Sequence, residues 1–140
     1  MSLEQLQRII SGEERGAEVA YLIGMRMVAA EPGRVTFELD VGPQHSSPPG
    51  TLHGGILCDL TDAAMGCSVV SLLEDGQSFA TVELKINFLK PVWEGTLTAV
   101  GEVLKAGRTL TLCECRVTDA GGSLVAFATS TCMTIEPRVN

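Results

Sequence analysis

Thr51-Leu52-His53-Gly54-Gly55-Ile56-Leu57-Cys58-Asp59-Leu60-Thr61-Asp62 stands at the head of the one long helix this chain predicts, Leu52 to about Leu73. Its apolar residues, from Ile56 and Leu57 through Leu60, Met65 and Val70, cover most faces of a helix. A helix of that kind must be wrapped by protein. Its first turn offers backbone N–H groups without partners, which can hold an anion or polarise a carbonyl. Gly54 and Gly55 let a ligand come close to that backbone. Asp62 falls where the helix is expected to be buried, and a buried carboxylate is costly unless paired or used. An electrophile activator beside an acid/base or nucleophile is a sketch of acyl transfer.

Outward from this helix the pattern turns to strands. Upstream, Gly42–Thr51 holds Pro43, Pro48 and Pro49 and reads as a loop able to carry binding residues. Before it, Met25–Ala30 and Arg34–Val41 flank Glu31-Pro32-Gly33, a hairpin signal. Val35, Phe37, Leu39 and Val41 alternate with polar residues, as in a half-buried strand. Leu3–Ile10 has helical spacing and Gly12 should end it, with a second helical turn in Glu13–Tyr21. Downstream, the strand around Thr81–Phe88, then Val92–Leu104, Thr109–Thr118 and Leu124–Ile135, predict a four-strand antiparallel meander, with a bulge near Cys113. The fold expected is α+β: an antiparallel sheet curled around one buried helix, in a single domain 1–140 whose first 20 residues form an N-terminal helical segment. Such a sheet has open edges, and pairing with a second copy is expected.

Composition narrows the function. The 140 residues carry a net charge of −7 and only 4% aromatics, against nucleic acid or an anionic membrane surface as partner. Neither of the longest uncharged runs, Val41–Cys58 and Ala120–Ile135, suits a membrane-spanning helix, and the first residues show no apolar leader. Five cysteines occur with no CxxC pair and only two histidines in the chain. These read as reduced thiols of a cytoplasmic protein, with no metal site expected.

The order of elements, with Gly50-Thr51-Leu52-His53-Gly54-Gly55, Asp62 nine residues after the histidine, and Thr81-Val82-Glu83-Leu84-Lys85-Ile86-Asn87-Phe88-Leu89-Lys90-Pro91, resembles the hotdog-fold acyl-CoA thioesterases. The similar branch is the PaaI-like, phenylacetate-pathway group, and the match runs from about residue 20 to the end. The resemblance implies hydrolysis of an acyl-CoA, aryl-acyl or medium-chain, with Asp62 as nucleophile or general base. It implies that the Gly54 N–H polarises the thioester carbonyl, that His53 supports the site, and that Thr81 places the water or the carboxylate. It implies sites shared across a dimer, frequent tetramers, and no cofactor beyond the CoA of the substrate. One departure stands out: the family often has Asn or Gln six residues before this histidine, where this chain has Ser47.

Each residue also has a plainer reading. Asp62 could be a solvated helix-face carboxylate, and Asp59 competes with it from the same face. Asp59 stands closer to the helix start, where the dipole favours a carboxylate for structural reasons alone. His53 could cap the helix, His45 could be a loop residue, and Gly54 and Gly55 could serve tight packing. Ser47 and Gly55 are candidates for substrate contact. Lys85, Lys90, Lys105 and Arg108 are candidates for the CoA phosphates, or merely solvated strand ends. Two other functions fit less well: a non-catalytic acyl-CoA-binding hotdog protein, and a hotdog acyl dehydratase or hydratase, whose motifs are missing.

Overall fold

The structure, a computed structural model, describes residues 1–137; the last three positions of the expected domain lie outside the described residues. Two short helices open the chain, α1 (Leu3–Ser11) and α2 (Glu18–Ile23). The hairpin β1 (Met25–Glu31) and β2 (Arg34–Val41) follows, then a 3-10 turn at Pro43–His45 and the long α3 (Gly54–Val70). Four strands complete it: β3 (Ser78–Phe88), β4 (Gly95–Ala106), β5 (Leu110–Thr118) and β6 (Leu124–Ile135). Ser2 and Gln5 cap the start of α1 reciprocally. The single fully buried residue of α1, Leu6, pins it to the core.

All six strands form one antiparallel sheet in the order β1-β2-β4-β5-β6-β3. The expected four-strand meander is therefore wrong at one strand. Only β4, β5 and β6 run as neighbours, while β3 pairs with β6 at the far edge. The cause is α3, which leaves β2 near one edge and delivers the chain to the other. The segment between β3 and β4 then returns, and Val92 on it is buried and accepts from the Leu52 N–H at 2.8 Å. Alternation announces a strand but not its neighbour. The bulge expected near Cys113 sits on the facing strand: β4 slips between Val103 and Lys105, opposite Cys113 and Leu112, while β5 keeps strict alternation.

The core lies between the inner face of the sheet and α3. Leu57, Leu60, Ala64, Met65 and Val69 pack there against Val35, Phe37, Leu39, Leu97 and Ala99. The closest approach is at Gly101 of β4. A methyl group there would collide with the Ala64 carbonyl and lie 2.7 Å from the Met65 nitrogen, so only glycine lets the helix rest on the sheet. The helix is shorter than expected. Leu52 and His53 precede it, and at its end Ser71 donates to the Ser68 carbonyl and accepts from the Gly33 N–H, tying it to the β1–β2 turn. Among the described residues no helix is long and apolar enough to cross a membrane.

Candidate active site

The loop before α3 is held by its own polar groups. His45 is buried; its Nδ1 accepts from the Gly42 N–H and its Nε2 lies 2.7 Å from the Ile23 carbonyl. Its own carbonyl accepts from the His53 N–H at 2.8 Å. This residue, read from sequence as a bystander, is a clamp that sets where the helix begins. Ser47 and Thr51 close the turn, the Ser47 N–H and Oγ both donating to the Thr51 carbonyl. The Ser47 hydroxyl is thus turned onto Thr51 and spends its proton there.

His53 is the N-cap. Its Nδ1 accepts from the Gly55 N–H at 2.9 Å, and a methyl group on Gly55 would sit against that ring. The Gly55 N–H is therefore engaged by the cap. The Ile56 N–H bonds to the His53 carbonyl. Among the described residues the Gly54 N–H has no acceptor, as the first residue of a helix should not. The ring of Phe88 lies over Gly54, 3.0 Å from where a Cβ would stand. Ser47, Thr51, His53, Gly54, Phe88 and Lys90 line a cavity of about 560 Å³ around this helix start.

The second half of the site is two turns further on. Gly55, Asp59 and Asp62 form an exposed stripe along α3. The expectation that Asp62 is buried is corrected: in the single chain its carboxylate is open to solvent, because the apolar residues of α3 leave this stripe uncovered. Its partner is Thr81 on β3, whose Oγ1 donates to Asp62 Oδ1 at 2.9 Å. Thr81 also stands 4.0 Å from the buried thiol of Cys132. β3 runs antiparallel to α3, so Phe79 lies on Gly66, Thr81 on Asp62 and Phe88 on Gly54. Asp59 and Asp62 line a larger, mostly apolar cavity of about 700 Å³. Cys67 beside them is pushed up to about 12, first by burial and then by Asp62, so its thiol stays neutral.

The structure thus brings Ser47, His53, Gly54 and Lys90 together at the helix start, and Asp62, Thr81 and Asp59 together at mid-helix. It separates the two groups. Eight residues of helix between Gly54 and Asp62 are about 12 Å of rise, too far for both to touch one carbonyl. Lys85 points from the outer face of β3 and bonds Asn87 at 3.4 Å. Lys90 is paired with Asp119, whose carboxyl the ammonium holds below the usual range with help from the Ser123 and Gly121 N–H groups. Arg108 is exposed in the β4–β5 turn, at the end of the sheet away from the helix start. The residues sequence reasoning missed are the apolar ones on α1, α2 and β1 that wall the larger cavity; apolar side chains carry no chemical signature.

Comparison with known proteins fits this geometry. Residues 49–126 match the family model described as the thioesterase superfamily, a span that holds the helix start, Asp62 and Thr81. Human acyl-coenzyme A thioesterase 13 is 30% identical over 88% of this chain and 89% of its own. A thioesterase family protein from Silicibacter pomeroyi is 30% identical, with a TM-score of 0.83 over 94% of this chain and 98% of that one. The PaaI protein from the phenylacetic acid degradation operon of E. coli, 20% identical, shares the fold at a TM-score of 0.85 over 98% of both chains. The chain belongs to the thioesterase superfamily and is a hotdog-fold thioester hydrolase.

Proposed function

We propose that this chain hydrolyses acyl-CoA thioesters, aryl-acyl or medium-chain, to the free acid and CoA. The observation that carries the proposal is Asp62: an exposed carboxylate, held by Thr81, at the wall of a mostly apolar cavity. The Thr81 hydroxyl occupies Oδ1 and restrains rotation of the carboxylate, leaving Oδ2 for the reacting partner. Similarity to human acyl-coenzyme A thioesterase 13 supports CoA as the thiol.

Two routes fit. In one, Asp62 takes a proton from water as the water oxygen bonds to the carbonyl carbon; the C–S bond then breaks and the proton passes to the departing thiolate. In the other, Asp62 attacks the carbonyl itself, CoA leaves, and water hydrolyses the mixed anhydride. In both, negative charge grows on the carbonyl oxygen, where the Gly54 N–H and the start of the α3 dipole stabilise it. No cofactor is needed beyond the substrate's own CoA. The five free cysteines support a reducing, cytoplasmic setting.

The separation of Gly54 and Asp62 along α3, about 12 Å of helix rise, supports a site shared by two copies, Asp62 from one and Gly54 from the other. β3 supplies the contact. It is an edge strand with Val82 and Phe88 more than half exposed, and such edges pair. Two variants test the reaction and the sharing together. Asp62→Asn removes the carboxylate. Gly54→Pro removes the N–H at the one helical position that tolerates proline, and Gly54→Ala controls for contact with Phe88. Both Asp62→Asn and Gly54→Pro should lose thiol release across an acyl-CoA panel. Mixing and reassociating the two inactive proteins should restore about a quarter of wild-type activity, since half the dimers then hold one intact site of two. No restoration rejects the shared site, and no thiol release from the wild type across a broad panel rejects the thioesterase reading.

A further inference from the structure

The larger cavity is walled mainly by residues that precede the span of the family match. Leu6, Ile9 and Ala20 on α1 and α2, with Met25, Met27 and Phe37 on β1 and β2, precede residue 49; only Asp59, Asp62, Ala63 and Cys67 of its wall lie within the family match. At about 700 Å³ it is in the usual size range for a small-molecule pocket. Its charges are unusual. Two carboxylates face it; among the described residues of its wall the cations are Arg26, committed to Glu38 at 2.8 Å and Asp40 at 2.7 Å, and the terminal ammonium of Met1, itself an exposed residue. α2 has no buried residue, and the turn before it is held by local contacts: Arg15 to Glu18, Arg15 over the Tyr21 ring, and the Gly16 N–H to Tyr21 Oη.

We propose that this cavity receives the acyl group, that α1 and α2 set the length it accepts, and that it selects uncharged aliphatic chains while rejecting acyl groups that end in a carboxylate. The proposal rests on Asp62 as the reacting carboxylate, since that places the carbonyl at the cavity wall and the acyl tail inside. A tail carboxylate would enter a mostly apolar space that already holds two carboxylates, with Arg26 committed and only the exposed Met1 ammonium left to pair with, a costly burial. The chemistry of the site would then come from residues within the family match, and its selectivity mainly from residues before it.

The test uses binding as well as turnover, so the two readings fail separately. S-alkyl-CoA thioethers, which cannot be hydrolysed, are titrated by calorimetry from ethyl to decyl, beside a chain ending in carboxylate. Affinity should rise about 4-fold per methylene, the equivalent of ~0.8 kcal/mol, until the cavity is filled. The ω-carboxyl chain should bind at least about 50-fold more weakly than its alkyl equivalent of the same length, the scale of an unpaired buried polar group. Ala20→Trp should stop the rise at shorter chains, and Met27→Ala should extend it. Opposite shifts cannot come from misfolding. In thiol release, the optimum chain length should move the same way. Length-dependent binding that responds to both variants, with no turnover of any thioester, leaves the cavity assignment standing and removes the thioesterase reading. Turnover with affinity flat beyond ethyl, or with a length limit that neither variant moves, overturns the cavity assignment and leaves the thioesterase reading intact. Equal affinity for the ω-carboxyl chain overturns the charge selection.

Discussion

The two sides of α3 do opposite work. On the side against the sheet, Leu57, Leu60, Ala64 and Met65 are buried, and the backbone touches β4 so closely that Gly101 has no room for a methyl group. On the other, Gly55, Asp59 and Asp62 stand in the open, and the carboxylate of Asp62 accepts from Thr81. The first side fixes the helix, and the second uses its fixity. A carboxylate positions a reaction only if its backbone does not move, and here the backbone is fixed where Ala64 and Met65 rest on β4. Substitutions on the two sides should therefore separate: one set costs turnover without stability, the other stability without chemistry.

Asp62→Asn should break the open side most sharply. It keeps the shape of the side chain and removes the charge needed to attack or to take a proton. The expected loss in kcat is about 10²- to 10⁴-fold, the scale of losing a positioned acid/base. The thermal midpoint should stay close to wild type, because the carboxylate is exposed and, among the described residues, forms no ion pair. A large fall in stability with turnover nearly intact would make Asp62 a structural residue.

Gly101→Ala is the counterpart on the packed side. The added methyl group has to displace the helix backbone at Ala64 and Met65 rather than a flexible side chain. Overpacking of this kind costs about 1–3 kcal/mol, and a melt at fixed protein concentration should drop by several degrees. A melt equal to wild type would show that α3 can ride higher on the sheet, and the claim that its packed side fixes the site would fail.

How far the sequence shows these two sides depends on what each uses. That Gly55, Asp59 and Asp62 share one face is legible from their spacing at i, i+4 and i+7, though not that the face is exposed, and the resemblance to the family, rather than the residues alone, points to Thr81, which donates to Asp62. The strands were legible from alternation, except for partnership. β3 alternates as well at the edge as it would in the middle, so nothing in it says that it pairs with β6. Burial of Asp62 was misjudged because an apolar count around a helix ignores which faces the sheet reaches. His45 was missed because a lone loop histidine looks the same whether it clamps Ile23 or hangs in solvent. Gly101 gives no signal at all, since the close approach that demands it is made by a helix more than thirty residues earlier.

Thr81→Val sharpens the comparison at the junction between helix and sheet. Valine keeps the shape and strand preference of threonine but cannot donate to Asp62. The carboxylate keeps its chemistry and loses its restraint, so kcat should fall by about tenfold, the worth of one good hydrogen bond, while KM changes little. Thr81→Ser keeps the hydroxyl and should recover most of the loss. If Val and Ser behave alike, the hydroxyl is not what positions Asp62.

The smallest effect should come from Asp59→Asn, one turn before Asp62 on the same stripe. From sequence its place near the helix start predicted a stabilising interaction with the helix dipole. The structure moves it out of range: α3 begins at Gly54, its first turn holds no acidic residue, and Asp59 is the sixth position. The dipole effect falls off within the first turn, so the melt should barely respond. Among the described residues Asp59 also has no side-chain hydrogen-bond partner comparable to Thr81 to hold it in a reactive orientation. Turnover of uncharged acyl-CoA should change by less than about tenfold, well under the loss at Asp62. What should change is discrimination. With one of the two carboxylates of the cavity neutralised, hydrolysis of an ω-carboxyl acyl-CoA should gain relative to its uncharged equivalent. Thiol release with the two substrates, measured side by side on wild type and both Asp→Asn variants, decides it. If Asp59→Asn abolishes turnover and Asp62→Asn does not, the reacting carboxylate is the one nearer the helix start, and Thr81 orients a bystander.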